Sequence, residues 1–297
     1  MTRRLFITVS LFGALCLGAQ AQEQRRRVTV AVLEMGSTPT AARVAERLAK
    51  ALAPGDAATK FALLDRGMSA AAARGVGYAG SLNLSLDEAR TLGAALGCDF
   101  FLAGDAQTIR RSSSARPVYF ESYATVFVVS ARTGRLAFWT RPAATADTAE
   151  EAEAALLASL GPHASSCALA VAKAAAGEDH DRFEPAVGDA PGSVIDLSAE
   201  GEAARDLREP APYRRLRPAY TDEAARAEAE ATVDVEVEIG ADGRVGRARV
   251  VRWAGFGLDE EVVSTVRRMH FRPAEREGEP VAVRVLLRYN FRKPSKT

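Results

Sequence analysis

The 297-residue chain is poor in the residues that build metal and redox centres, with three cysteines and three histidines. The histidines, His163, His180 and His270, stand far apart with no second ligand at helical or zinc-like spacing. No metal site is therefore expected, and Asp179, His180 and Asp181 read as a solvated charge cluster. Three cysteines are too few for the dense framework that staples small secreted folds. Acidic and basic residues almost cancel, 38 against 39, so no global field collects nucleic acid or acidic lipid. No continuous apolar run approaches the ~20 residues of a membrane-spanning helix. A nucleophile elbow, a phosphate-binding loop and a cysteine-histidine pair are also missing. The pattern GxGxxG does occur at Gly75, Gly77 and Gly80, but an Ala-rich stretch separates it from the preceding strand, so it reads as a loop. These absences argue against an enzyme, a cofactor or a nucleic-acid partner, and they leave binding.

What is present begins with an export pattern. Arg3 and Arg4 precede an apolar stretch over residues 5–17 and the small-residue triplet Ala19, Gln20, Ala21. That order predicts a cleavable signal over residues 1–21, a mature start at Gln22 and a periplasmic protein. Lipid attachment would need Cys16, but bulky Leu15 precedes it. Retention of the segment would instead make an inner-membrane anchor facing the periplasm. After cleavage Cys98 and Cys167 remain, either bonded in an oxidising compartment or kept as two buried thiols.

The rest divides by composition into residues 28–177, a stretch poor in apolar residues over 178–212 that reads as a flexible linker, and residues 213–297. In the first unit, strand patterns at 28–33, 61–64, 100–103, 123–129 and 136–139 alternate with helical patterns at 40–52, 85–96 and 148–176. Ser85 with Glu88 and Thr148 with Glu151 form capping boxes, and Thr133-Gly134 marks a hairpin. The expectation is a mixed α/β unit within an α+β chain. The segments VTVAVL (28–33), FALLDR (61–66), ARTLGAALGCDFFLAGD (89–105) and VFVVSARTGRLAFW (126–139) resemble the CsgG-like curli-secretion family and the N-terminal domain of TolB. That resemblance implies a fold and not a channel.

In residues 213–297, Val233, Val235, Val237 and Ile239 alternate with acidic residues, as in a strand with one buried face. Asp242-Gly243 predicts a two-residue hairpin turn. Pairing outward sets Glu238 against Arg247, Glu236 against Arg249, Val237 against Ala248 and Val235 against Val250. Leu258, Val262, Val266 and Met269 then share a helical face, and Pro273 stops that helix. Val281, Val283, Val285 and Leu287 alternate in a last strand, giving β-β-α-β.

This unit resembles the C-terminal domain of the TonB family. The resemblance rests on RPAYTDEAA (217–225), TVDVEVEIGADGRV (232–245), ARVVRWAGFGLDEEVVSTVRRMHFRPA (248–274) and EGEPVAVRVLLRYNF (277–291). Thr221 departs from it, standing where the family commonly has proline after the tyrosine, and so does His270 beside Phe271. The resemblance implies a protein or peptide partner, an outer-membrane receptor among the candidates, captured by strand addition to the edge formed by residues 281–291. Tyr220, Arg284, Arg288, Tyr289 and Phe291 are the candidate contacts, against the alternative that the arginines only protect the edge. The function expected is a periplasmic adaptor that meets membranes only through its partners. The alternatives are a TonB-type energy transducer with a retained anchor and a structural component of an outer-membrane assembly or secretion complex.

Overall fold

The computed structural model describes residues 27–53, 61–183, 194–197 and 206–293. The expected signal segment lies outside the described residues. The chain is α+β, built on two mixed sheets.

The first unit runs β1 (Val28–Val32), α1 (Pro39–Leu52), β2 (Phe61–Leu63), α2 (Arg66–Gly75), α3 (Leu86–Leu96), β3 (Phe100–Arg111), β4 (Tyr119–Ser130), β5 (Leu136–Thr140), β6 (Ala143–Ala146) and α4 (Ala149–Phe183). Its sheet has the order β2-β1-β3-β4-β5, with β6 also on β4. The β1 pairs with β2 and β3 are parallel and the others antiparallel. Both faces of the central strands are buried, which is why they read as continuous apolar runs. Val30, Phe100, Leu102, Val126 and Val128 face α1 and α4, while Ala31, Phe101, Ala103, Phe127 and Val129 face the other way.

Local signals set the helix starts. Thr38 caps α1 by accepting from the Ala41 N–H at 3.0 Å, and the Val44, Leu48 and Leu52 face is buried as expected. The Ser85–Glu88 capping box of α3 is complete, and Gly97 closes that helix in the left-handed region. The GxGxxG pattern begins at Gly75, the last residue of α2, and so continues from a helix and not from a strand. By length and composition α4 could cross a membrane, although its apolar residues are not continuous in sequence. Its Leu156, Leu160, Cys167 and Val171 are buried with α1 and the sheet.

Cys98 and Cys167 are free thiols, Cys167 buried and Cys98 half-buried. Cys167 lies in the core on the α1 and α4 face, and Cys98 packs against the core on the opposite face. The sheet separates them.

The second unit comprises β7 (Val194–Asp196), β8 (Leu207–Arg208), β9 (Ala211–Pro212), α5 (Asp222–Ala227), β10 (Ala231–Ile239), β11 (Val245–Arg252), α6 (Leu258–Arg267), β12 (Phe271–Arg272), β13 (Ala274–Arg276) and β14 (Glu279–Phe291). The expected β-β-α-β unit is β10, β11, α6 and β14, with Leu258, Val262, Val266 and Met269 all buried. Three paired strands and the end of α4 fall within the stretch read as a flexible linker.

The β10–β11 register matches expectation at Val235–Val250, Glu236–Arg249 and Val237–Ala248. The turn does not. Gly240 N–H donates to Arg244 and Gly243 N–H to Gly240, both at 2.9 Å, with Gly243 at φ 76°. This is a three-residue loop ending in a left-handed glycine, and a register shift between Val237 and Ile239 absorbs the extra residue. Glu238 bonds Arg284, its register partner on β14, at 2.7 Å.

The two units share one core. Trp253, 2% exposed, lies 5.5 Å from Phe127 between ring centroids, and Phe256 meets Phe127 edge-on at 5.7 Å. The Asn83 amide accepts from Thr232 N–H (2.9 Å) and donates to the carbonyls of Thr232 and Trp253 (2.7 Å each). One side chain thus supplies the hydrogen bonds of a missing strand.

Candidate functional site

Sheet position decides where a further strand can add. The second sheet runs β11-β10-β14-β13-β8, with β7 also on β14. The final strand is therefore not a simple edge. One side pairs with β10 over its length from Ala231–Phe291 to Ile239–Val283. On the other side β13 takes residues 279–281 and β7 takes residues 282–284.

The Arg284 carbonyl points to that outer side, where it accepts from Leu197 N–H at 2.8 Å. Successive residues of a strand alternate the direction of their backbone groups. Leu286, Arg288 and Asn290 therefore turn their N–H and C=O outward, and among the described residues no strand pairs with them there. Beside this stretch is a cleft of about 450 Å³ walled by Leu197, Pro212, Leu216, Met269, Phe271, Leu287 and Tyr289, with Glu209 and Arg288 also lining it. The combination offers directional backbone bonds next to apolar area, the two components that hold an added strand.

The five residues singled out from the sequence separate into different roles. Tyr289 lines the cleft, half-buried, with its hydroxyl 3.6 Å from the Met269 sulfur; burial raises its pKa. Arg288 also reaches the cleft, but its guanidinium holds Asp234 through two bonds of 2.7 and 2.9 Å, which raises its pKa. Arg284 bonds Glu238 and, at 3.3 Å, Asp196 of β7; the Glu238 bond is the main cause of its raised pKa. Both arginines thus form ion pairs on the polar sheet face. Phe291 is buried in the core at 8% exposure. Tyr220 lies 6.4 Å from Phe291 between ring centroids and donates to the Ala229 carbonyl at 2.8 Å, closing the α5 turn. The departure at Thr221 has its own role, since this residue caps α5 and donates to the Phe256 carbonyl at 2.6 Å.

Sequence reasoning did not bring Leu197, Pro212, Met269 and Phe271 together as the walls of one cleft. The available signal was Ile195 and Leu197, an apolar alternation around Asp196 inside an otherwise polar stretch.

A second feature fixes the join between the units. The Asp259 carboxylate accepts from the N–H groups of Ala254 and Gly255, both at 2.8 Å. Gly255, Phe256 and Gly257 all have positive φ, so the two bonds hold a turn that places Trp253 and Phe256. Burial pushes the Asp259 carboxyl up to about 6, against the lowering by those two bonds.

Residues 217–292 match the family model described as the Gram-negative bacterial TonB protein C-terminal, and this segment is a TonB C-terminal domain. No curated protein matches the chain. Among solved structures, the Pseudomonas aeruginosa TonB C-terminal domain is 25% identical over 34% of this chain and 95% of its own, with a TM-score of 0.26. The Escherichia coli LpoB C-terminal domain is 17% identical over 39% and 82%, at 0.26. A Neisseria meningitidis lipoprotein is 13% identical over 45% and 92%, at 0.30.

Proposed function

We propose that the chain is a cell-envelope adaptor whose TonB C-terminal domain captures an extended segment of a partner protein on the outer side of β14. The observation that carries this reading is the outward backbone of Leu286, Arg288 and Asn290 beside the apolar cleft. Strand addition needs both, because backbone bonds give affinity and the side-chain pockets give selectivity. The expected compartment is the periplasm, and an outer-membrane receptor is one class of partner. The role is binding and not catalysis. Docking through Trp253 suits an adaptor, since it holds the capturing edge at a fixed place on the first unit, whose CsgG-like and TolB-like sequence segments suggest a second interaction surface.

The test replaces Tyr289 with a photo-reactive phenylalanine analogue in cells of the source bacterium. Irradiation is expected to link the cleft to one defined extended segment of another envelope protein, identified by mass spectrometry. Leu286→Pro removes an outward N–H while leaving the ladder to β10 in place, and it should abolish the adduct. An adduct of unchanged yield in that variant would contradict strand addition.

A further inference from the structure

The outer side of β14 already carries a short strand of this chain. Val194, Ile195 and Asp196 pair in parallel with Ala282, Val283 and Arg284, and Leu197 N–H donates to the Arg284 carbonyl at 2.8 Å. Side chains alternate as a strand requires. Ile195 and Leu197 pack against the shared core, whereas Val194 and Asp196 are exposed on the polar face. Asp196 reaches the Arg284 guanidinium at 3.3 Å.

We infer that residues 194–197 are a resident pseudo-ligand, and that the partner is a peptide of the same chemistry that replaces them: a parallel extended segment with two apolar residues at alternate positions and an acidic residue between them. This inference rests on the reading of β14 as the partner edge and names what that edge selects. Three observations support it. Among the described residues the resident strand pairs with residues 282–284 and leaves the outward groups of Leu286, Arg288 and Asn290 to a longer peptide. Leu197 already lines the cleft at the point where the free stretch begins, which fixes the side on which an apolar residue is accepted. Arg284, held between Glu238 and Asp196, sets the charge of the intervening position. Being part of the same chain, the resident strand competes at an effective concentration in the millimolar range, so weak or wrongly charged segments are excluded.

The experiment uses the full chain and a fluorescent synthetic peptide of residues 192–199 (GSVIDLSA). Binding is followed by anisotropy to the wild type and to the Ile195→Asp, Leu197→Asp double variant, in which the resident strand loses both core contacts. The double variant is expected to bind the peptide at least tenfold more tightly than the wild type. A peptide with lysine in place of the acidic residue is expected to bind it at least tenfold more weakly. As a check that does not depend on the variant, saturating peptide should speed exchange of the wild-type Leu197 amide at least tenfold. Equal binding by wild type and double variant, or indifference to the lysine replacement, would overturn the inference. If that happens while the Tyr289 adduct still forms and is lost in Leu286→Pro, the partner edge stands without a resident competitor. Loss of both results removes the edge reading too.

Discussion

The Trp253 indole N–H donates to the Gly134 carbonyl at 3.0 Å, joining the tip of a hairpin in the first unit to the end of β11 in the second. Around that bond Asn83 satisfies the backbone of Thr232 and Trp253, and Trp253 N–H donates to Leu84 at 3.2 Å. Units joined through a buried aromatic cluster and backbone bonds should melt together.

Asn83→Ala therefore removes three hydrogen bonds and leaves partners at the boundary without their acceptor or donor. The expected cost is about 2–4 kcal/mol, read by urea denaturation followed through tryptophan fluorescence. The wild type should show one transition. Two separate wild-type transitions would mean that the units fold independently.

Gly255 lies at φ 74° with its Cα against the Phe127 ring, which a Cβ would overlap. Gly255→Ala should cost about 2–4 kcal/mol through overpacking and left-handed strain. At Gly246 an added Cβ meets only ordinary contact distances, so Gly246→Ala should leave the melting temperature within about 3 °C of wild type.

Asp259 gives a pH signature of defined sign. Its folded pKa, about 6, lies above its ordinary 3.8, so the folded state holds the extra proton between these values. Its contribution to stability therefore rises as pH falls from 7 to 5, by about 1 kcal/mol. The difference in unfolding free energy between wild type and Asp259→Asn should grow by that amount over the same interval. A constant difference would contradict the buried carboxylate.

Burial raises both the Cys98 and the Cys167 thiol to about 12. Thiolate is the reactive form, so neither should react with iodoacetamide at pH 8 in the native protein, and both should react in urea. A mass change on reduction would reveal a bond that the intervening sheet forbids.

Much of this architecture was legible in the sequence because it is local. Period-two alternation gave β10 and β14, three- and four-residue spacing gave the α6 face, and Ser85 with Glu88 gave the start of α3. The missed parts are those that depend on tertiary partners. β3 and β4 run twelve residues each, but their far halves are held by polar contacts such as Thr108 to Ser122 and Arg111 to Glu121, at 2.9 Å each, so apolar periodicity ends before the strands do. The loop after Ile239 gained a residue that the shift beyond Val237 removed, leaving the inner register correct for a reason the turn residues did not contain. Arg284 and Arg288 stood out as edge cations, yet Glu238 and Asp234 directly across β10 hold both. Trp253 lies within the recognised motif, but its burial needs Phe127 and Gly134, more than a hundred residues away in sequence.

Amide hydrogen exchange of β14, measured on the full chain with and without the segment captured at Tyr289, tests strand addition most directly. The outward amides of Leu286 and Arg288 should slow at least tenfold when the segment binds, while those of Val285 and Leu287, already facing β10, should stay unchanged. Binding that leaves Leu286 and Arg288 exchanging at their free rates would contradict the account.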